Sequence, residues 1–290
     1  MRKVLVFGGN GLVGSRFVEL IEGRFEINSP STQEVDILKK DQVLKKFEDF
    51  NPEVVMNFAA YTDVEEAEDQ KDDENGLCFK VNVMGAKNVA EACKKFDKYL
   101  IHISTDYVFN GEKNEPYIEE DTPDPINWYG MTKYLGERSV LESGCLASIV
   151  RISMPYRANY QLKKDIGRFF LEQLRNNQSI NAITDQKITP TFVDDIVHAL
   201  PAILKNKFKG TLHVSCQTPT TPFEFAKTIA KVFVLNESLI SGITFSQYSS
   251  NKKAKMLKNS ALNPSKFDSM FPGILHALDE SINLFKVAVE

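Results

Sequence analysis

Short apolar runs alternate with stretches of helical periodicity through the first half of the chain. Strands are expected at VLVFGG (4–9), FEINSP (25–30), VVMNFAA (54–60), YLIHIST (99–105), ASIVRIS (147–153) and TLHVS (211–215). Between them, apolar residues recur at helical spacing in 12–22, 40–49, 81–95 and 129–143. This alternation predicts an α/β fold, a Rossmann-type doubly wound parallel sheet with helices on both faces.

After about residue 153 the rhythm changes. Helices near 163–176 and 193–204, a helix opening around Pro222 and a last one over 274–287 leave too few strands for a second sheet of any size. The expectation is a dinucleotide-binding domain made of 1–151 with about 184–215, and a smaller substrate-binding lobe made of about 152–183 and 216–290. Such a lobe would sit at the C-terminal edge of the sheet, where open α/β sheets take their ligands. The acidic run QKDDEN (70–75) reads as an exposed loop insertion.

Composition narrows the class. The 290 residues are 42% hydrophobic and 26% charged, as in an ordinary globular protein. No stretch approaches the length of a membrane span, and MRKVLVFGGN has no signal-peptide layout, so a cytoplasmic protein is expected. A net charge of -4 argues against non-specific nucleic-acid binding. Lys252, Lys253, Lys255, Lys258 and Lys266 form a local basic stretch, to be read as a solvated face or as a phosphate site. Cys78, Cys93, Cys145 and Cys216 lack metal or redox spacing and read as buried, reduced thiols; no metal is expected.

Two features carry chemistry. Gly8, Gly11 and Gly14 follow the first strand and open a helix, the arrangement that lets backbone approach a pyrophosphate and aims helix N–H groups at it. The second strand ends in Asn28, Ser29, Pro30 and Ser31, neither acidic for a ribose nor basic for a 2′-phosphate, so NADPH or NADH is expected, with a lean to NADPH. The second feature is a tyrosine with a lysine four residues on, which occurs three times: Tyr129 with Lys133, Tyr160 with Lys164, and Tyr248 with Lys252. A tyrosine can protonate a carbonyl that receives hydride if a nearby cation lowers its pKa, with a hydroxyl steadying the substrate oxygen. Only Tyr129 follows a strand that ends in hydroxyls, Ser104 and Thr105; the other two pairs read as surface residues.

The segments GGNGLVGSR, NFAAYTDVEEAE (57–68), VNVMGAKNVAEAC (81–93), ISTDYVFNG (103–111), WYGMTKYLGE (128–137) and TDQKITPTFVDDIV (184–197) together resemble the extended short-chain dehydrogenase/reductases, specifically the dTDP-4-dehydrorhamnose reductase family. The resemblance implies Thr105, Tyr129 and Lys133 as catalytic trio. It also implies Gly11, Leu12 and Val13 at the pyrophosphate, Asp36 and Ile37 beside the adenine, and Ala59, Ala60, Tyr61 and Thr62 along the cofactor cleft, with Asn82 in support. Asp36 and Asn82 each have a plainer reading as a helix cap. Thr105, Asp106 and Met154 are the substrate candidates. Departures from the family pattern lie in the substrate lobe: Arg151-Ile152-Ser153-Met154 where a tryptophan is usual, Thr220-Thr221-Pro222 ahead of Phe225-Ala226, and Met256-Leu257 where Arg-Pro is usual.

The implied activity is NAD(P)H-dependent reduction of a nucleoside-diphosphate 4-keto-6-deoxy sugar by a monomer or homodimer. Two alternatives stay open, a nucleotide-sugar epimerase and a non-catalytic NADP-binding subunit like the regulatory subunit of methionine adenosyltransferase. Dehydration is disfavoured because Tyr107 stands where sugar dehydratases of this superfamily carry glutamate after Asp106.

Overall fold

A computed structural model describes residues 2–290. The chain runs β1 (Lys3–Phe7), α1 (Leu12–Ile21), β2 (Glu26–Asn28), α2 (Lys40–Phe50), β3 (Val54–Asn57) and α3 (Val64–Glu68). Next come α4 (Leu77–Phe79), a π-helical segment (Lys80–Gly85), α5 (Ala86–Lys95), β4 (Tyr99–Thr105), α6 (Trp128–Glu142) and β5 (Ala147–Ile152). The later half adds β6 (Pro155–Tyr156), α7 (Ile166–Arg175), β7 (Ile180–Ile183), β8 (Thr191–Phe192), α8 (Val193–Asn206) and β9 (Gly210–His213). It closes with α9 (Pro222–Val232), β10 (Ile240–Ile243), α10 (Phe245–Ser249), α11 (Ser265–Met270) and α12 (Leu278–Val289).

Six strands form one parallel sheet in the order β2-β1-β3-β4-β5-β9. The chain leaves β1 to one side for β2 and returns to the other for β3, so the strand order reverses at β1/β3 and opens a crevice beyond the strands' C-terminal ends. Each central strand is buried on both faces. Val4 and Val6 of β1 face the layer holding Phe17 of α1 and Ile196 and Leu200 of α8, while Leu5 and Phe7 face the layer of Phe47, Val89 and Val140. A separate core of Tyr156, Phe170, Phe192, Phe225, Ile229 and Phe285 fills the later half.

The doubly wound sheet is as expected, with shorter strands. β1 ends at Phe7 because Gly8 turns out of the strand at φ +76°, and β2 keeps three residues at the sheet edge. The later half contains two small parallel pairings that the sequence reading did not foresee, β6 with β8 and β7 with β10. α9 opens at Pro222 behind Thr221, whose hydroxyl accepts from Glu224 N at 3.1 Å. The QKDDEN run is an exposed loop between α3 and α4. All four cysteines are buried and unpaired.

Candidate active site

The crevice is a cleft of about 480 Å³ at the C-terminal ends of β1, β4 and β5. Its floor is the glycine loop. Gly11 N donates to Gly8 O at 3.0 Å, and a side chain on Gly8 would collide with the backbone of Ala59, one on Gly14 with the Gly8 carbonyl. Gly11 caps α1 without a side chain, leaving the first-turn N–H groups to face the cleft beside Leu12 and Val13. Backbone packed this closely beneath an uncapped helix start fits a pyrophosphate.

The reacting corner is built by α6. Asn127 Oδ1 accepts from Gly130 N at 2.8 Å and Glu68 from Trp128 N at 3.0 Å, while Gly130 lets the helix press against the Tyr107 carbonyl. This places Tyr129 in the first turn, edge-on to Tyr107 at 5.5 Å between ring centres, in the same cleft as Thr105 at the end of β4. Lys133 is buried one turn later and donates from Nζ to the Ile103 carbonyl at 2.8 Å. Burial pulls this lysine down to about 8, against the pull of Glu137. Burial likewise pushes the Tyr129 phenol well above its usual value, and the Asp106 charge acts in the same direction. The expected lowering of Tyr129 by its lysine is not found; the Lys133 ammonium faces the Ile103 carbonyl instead.

Asp106 is buried, accepting from Thr105 Oγ1 at 2.9 Å and from Ser153 Oγ at 2.9 Å; burial raises its carboxyl to about 6 despite these bonds. Met154 lines the same cleft with φ +39°, an unusual conformation for a side chain of its size.

Among the cofactor candidates, Gly11, Leu12, Val13, Gly14, Ala60 and Thr62 line the cleft with Thr105, Tyr129 and Lys133. Gly8 and Ala59 support it from beneath through their close backbone packing. Tyr61 turns its hydroxyl outward to Glu66 at 2.7 Å, and that bond is the main reason its phenol is pushed up to about 12. Asp36 spends one carboxylate oxygen on Leu38 N at 2.9 Å, a local turn, and Ile37 is buried against Gly85. Asn82 is no helix cap. It lies inside the π-helical segment and clamps the backbone of Tyr61, accepting from its N at 2.9 Å and donating to its O at 3.2 Å.

Of the rival pairs, Tyr248 lies under the Lys252 ammonium at 5.2 Å. Tyr160, read as a surface residue, lines the cleft instead and donates to the Asn10 carbonyl at 2.8 Å. Lys163 reaches the Thr62 carbonyl at 3.4 Å. No sequence signal could pair Tyr160 with a residue 150 positions away. The basic stretch resolves as a solvated face, with Lys253, Lys258 and Lys266 paired to Asp69, Asp185 and Glu120. A second groove of about 590 Å³ beside α1 holds Arg16 and Arg157, both spent on Glu19, and Arg16 also on Asp194. Among the described residues no cluster of potential metal ligands occurs and no helix is long and apolar enough to cross a membrane.

Fold, glycine loop and buried Tyr–Lys pair at the switch point together define a Rossmann-type protein of the short-chain dehydrogenase/reductase kind. More specifically, the chain belongs to the RmlD substrate binding domain family, whose model matches residues 1–287. It is 32% identical to rat methionine adenosyltransferase 2 subunit beta over 283 residues, covering 93% of this chain and 82% of that protein. It is 30% identical over 284 residues to the dTDP-4-dehydrorhamnose reductase of Aggregatibacter actinomycetemcomitans, covering 93% and 94%. Among solved structures, the dTDP-4-dehydrorhamnose reductase of Bacillus anthracis in complex with NADP superposes with a TM-score of 0.90 at 28% identity over 99% of both chains. The UDP-glucose 4-epimerase of Thermus thermophilus shares the fold at 21% identity, with a TM-score of 0.82 over 99% of this chain and 98% of that one.

Proposed function

We propose that the protein is an NAD(P)H-dependent reductase of a nucleoside-diphosphate 4-keto-6-deoxy sugar. The observation that carries this is the meeting of Tyr129, Thr105 and Lys133 in one cleft above the glycine loop, in a chain whose relatives include dTDP-4-dehydrorhamnose reductases. The nicotinamide cofactor would supply hydride to the carbonyl carbon. Gly11, Leu12, Val13 and Gly14 would hold its pyrophosphate, and Ala60 and Thr62 would line its path. Asp36 and Ile37 are assigned to the adenine end and Asn82 to the support of Tyr61. Tyr129 gives its phenolic proton to the carbonyl oxygen, Lys133 holds the ribose and offsets the phenolate charge, and Thr105 hydrogen-bonds the same oxygen. The sugar is assigned to the lobe formed by about 152–183 and 216–290, entering past Met154.

The likeness to methionine adenosyltransferase 2 subunit beta supports a second reading, a non-catalytic binding subunit. The intact trio favours the enzyme. NADPH absorbance followed with a panel of nucleoside-diphosphate 4-keto-6-deoxy sugars separates the two. One sugar should be turned over, and Tyr129→Phe should slow it by about a hundredfold or more while NADPH affinity survives. Tyr129→Phe turning over at the wild-type rate would remove the proton-donor assignment, and NADPH binding without turnover of any sugar would favour the subunit.

A further inference from the structure

We propose that Asp106 is a positioning residue whose charge decides which way the Thr105 hydroxyl points, and so whether Thr105 can donate to a ligand in the cleft; this rests on the reductase reading above. A threonine hydroxyl has one proton. Here that proton goes to Asp106 Oδ1 at 2.9 Å. Toward its other neighbours Thr105 Oγ1 can then only accept, and the Tyr107 N–H does reach it at 3.3 Å.

A protonated Asp106 reverses this. Its acid proton is donated to Thr105 or Ser153, and Thr105 is free to turn its hydroxyl into the cleft. The surroundings favour such a change of state. Asp106 is 2% exposed and accepts from two hydroxyls on neighbouring elements, Thr105 at the end of β4 and Ser153 after β5. The titratable groups facing it are the phenols of Tyr107, on its own turn, and Tyr129, on α6, and both feel its charge. The cations on the neighbouring elements are committed elsewhere, Lys133 to the Ile103 carbonyl and Arg151 to Glu137.

Two measurements test this. In infrared difference spectra of the protein, a protonated-carboxyl band absent from Asp106→Asn should titrate with a midpoint near pH 6, and the midpoint should move up in Ser153→Ala and in Thr105→Val, which each remove a hydrogen bond from the carboxylate. For the keto-sugar that is turned over, kcat/KM should rise about threefold to tenfold as pH falls through about 6, a break that Asp106→Asn lacks. An unmoved infrared midpoint in both variants, or a break retained in Asp106→Asn, overturns the proposal. Turnover without any break near pH 6 overturns it while leaving the reductase reading intact. The expected infrared shifts without turnover of any sugar would uphold the hydrogen-bond wiring and sink the reductase reading.

Discussion

Lys133 shows how much a single side chain's setting differs from its spacing. Three Tyr–Lys pairs share the same interval, yet only this lysine is buried, where desolvation brings its ammonium down to about 8. If its charge holds the ribose and offsets the phenolate, kcat/KM should fall as pH rises through about 8, since the cation is lost above that value. Lys133→Met should lack this limb and run at least about a hundredfold slower at pH 7, as pH–rate profiles of the two proteins would show. The pair's place after β4, in one cleft with the strand-end Thr105, was legible in the sequence. The direction of the ammonium was not, because the carbonyl it finds lies 30 residues away, and neither was the double occupation of the Asp106 carboxylate.

Between elements, α6 is tied to β5 by a buried ion pair. Arg151 donates from Nε and Nη2 to the two oxygens of Glu137 at 2.9 and 2.7 Å, with its guanidinium over the Phe109 ring at 5.1 Å. Both side chains are about 5% exposed, so removing one leaves an uncompensated charge in the interior. Arg151→Ala should destabilise the fold by about 3–5 kcal/mol, read from the urea midpoint. Strand and helix placement was legible wherever an apolar run was long enough to be buried on both sides, as in β4 and β5. Pairings such as β6 with β8 were not, since two-residue strands leave no period to detect. The π-helical turn at Asn82 was hidden for a related reason: the partner that Asn82 clamps there, the backbone of Tyr61, lies 21 residues upstream.

At the scale of the molecule, the doubly wound sheet and its ligand-binding edge were legible because the order of strand and helix signals restricts the connections available. The arrangement of the later half was not, as its core gathers Tyr156, Phe192, Phe225 and Phe285 from well-separated segments. One stretch from that half, between Tyr156 and α7, crosses back over the glycine loop. There Tyr160 reaches Asn10, and Lys163 reaches Thr62. Arg157 and Arg168 flank the Tyr160 ring at 5.5 and 5.9 Å. Loss of the phenolic bond in Tyr160→Phe should speed NADPH dissociation about twofold to tenfold with little change in fold stability, which stopped-flow fluorescence and thermal melts would check together. A nucleotide lying under this crossing would have to undo it to leave, whereas a sugar arriving from the lobe side would not. The expected kinetic order is then sequential, nucleotide first on and last off, with the slow step of the cycle in exchange of the spent coenzyme rather than in transfer of hydride.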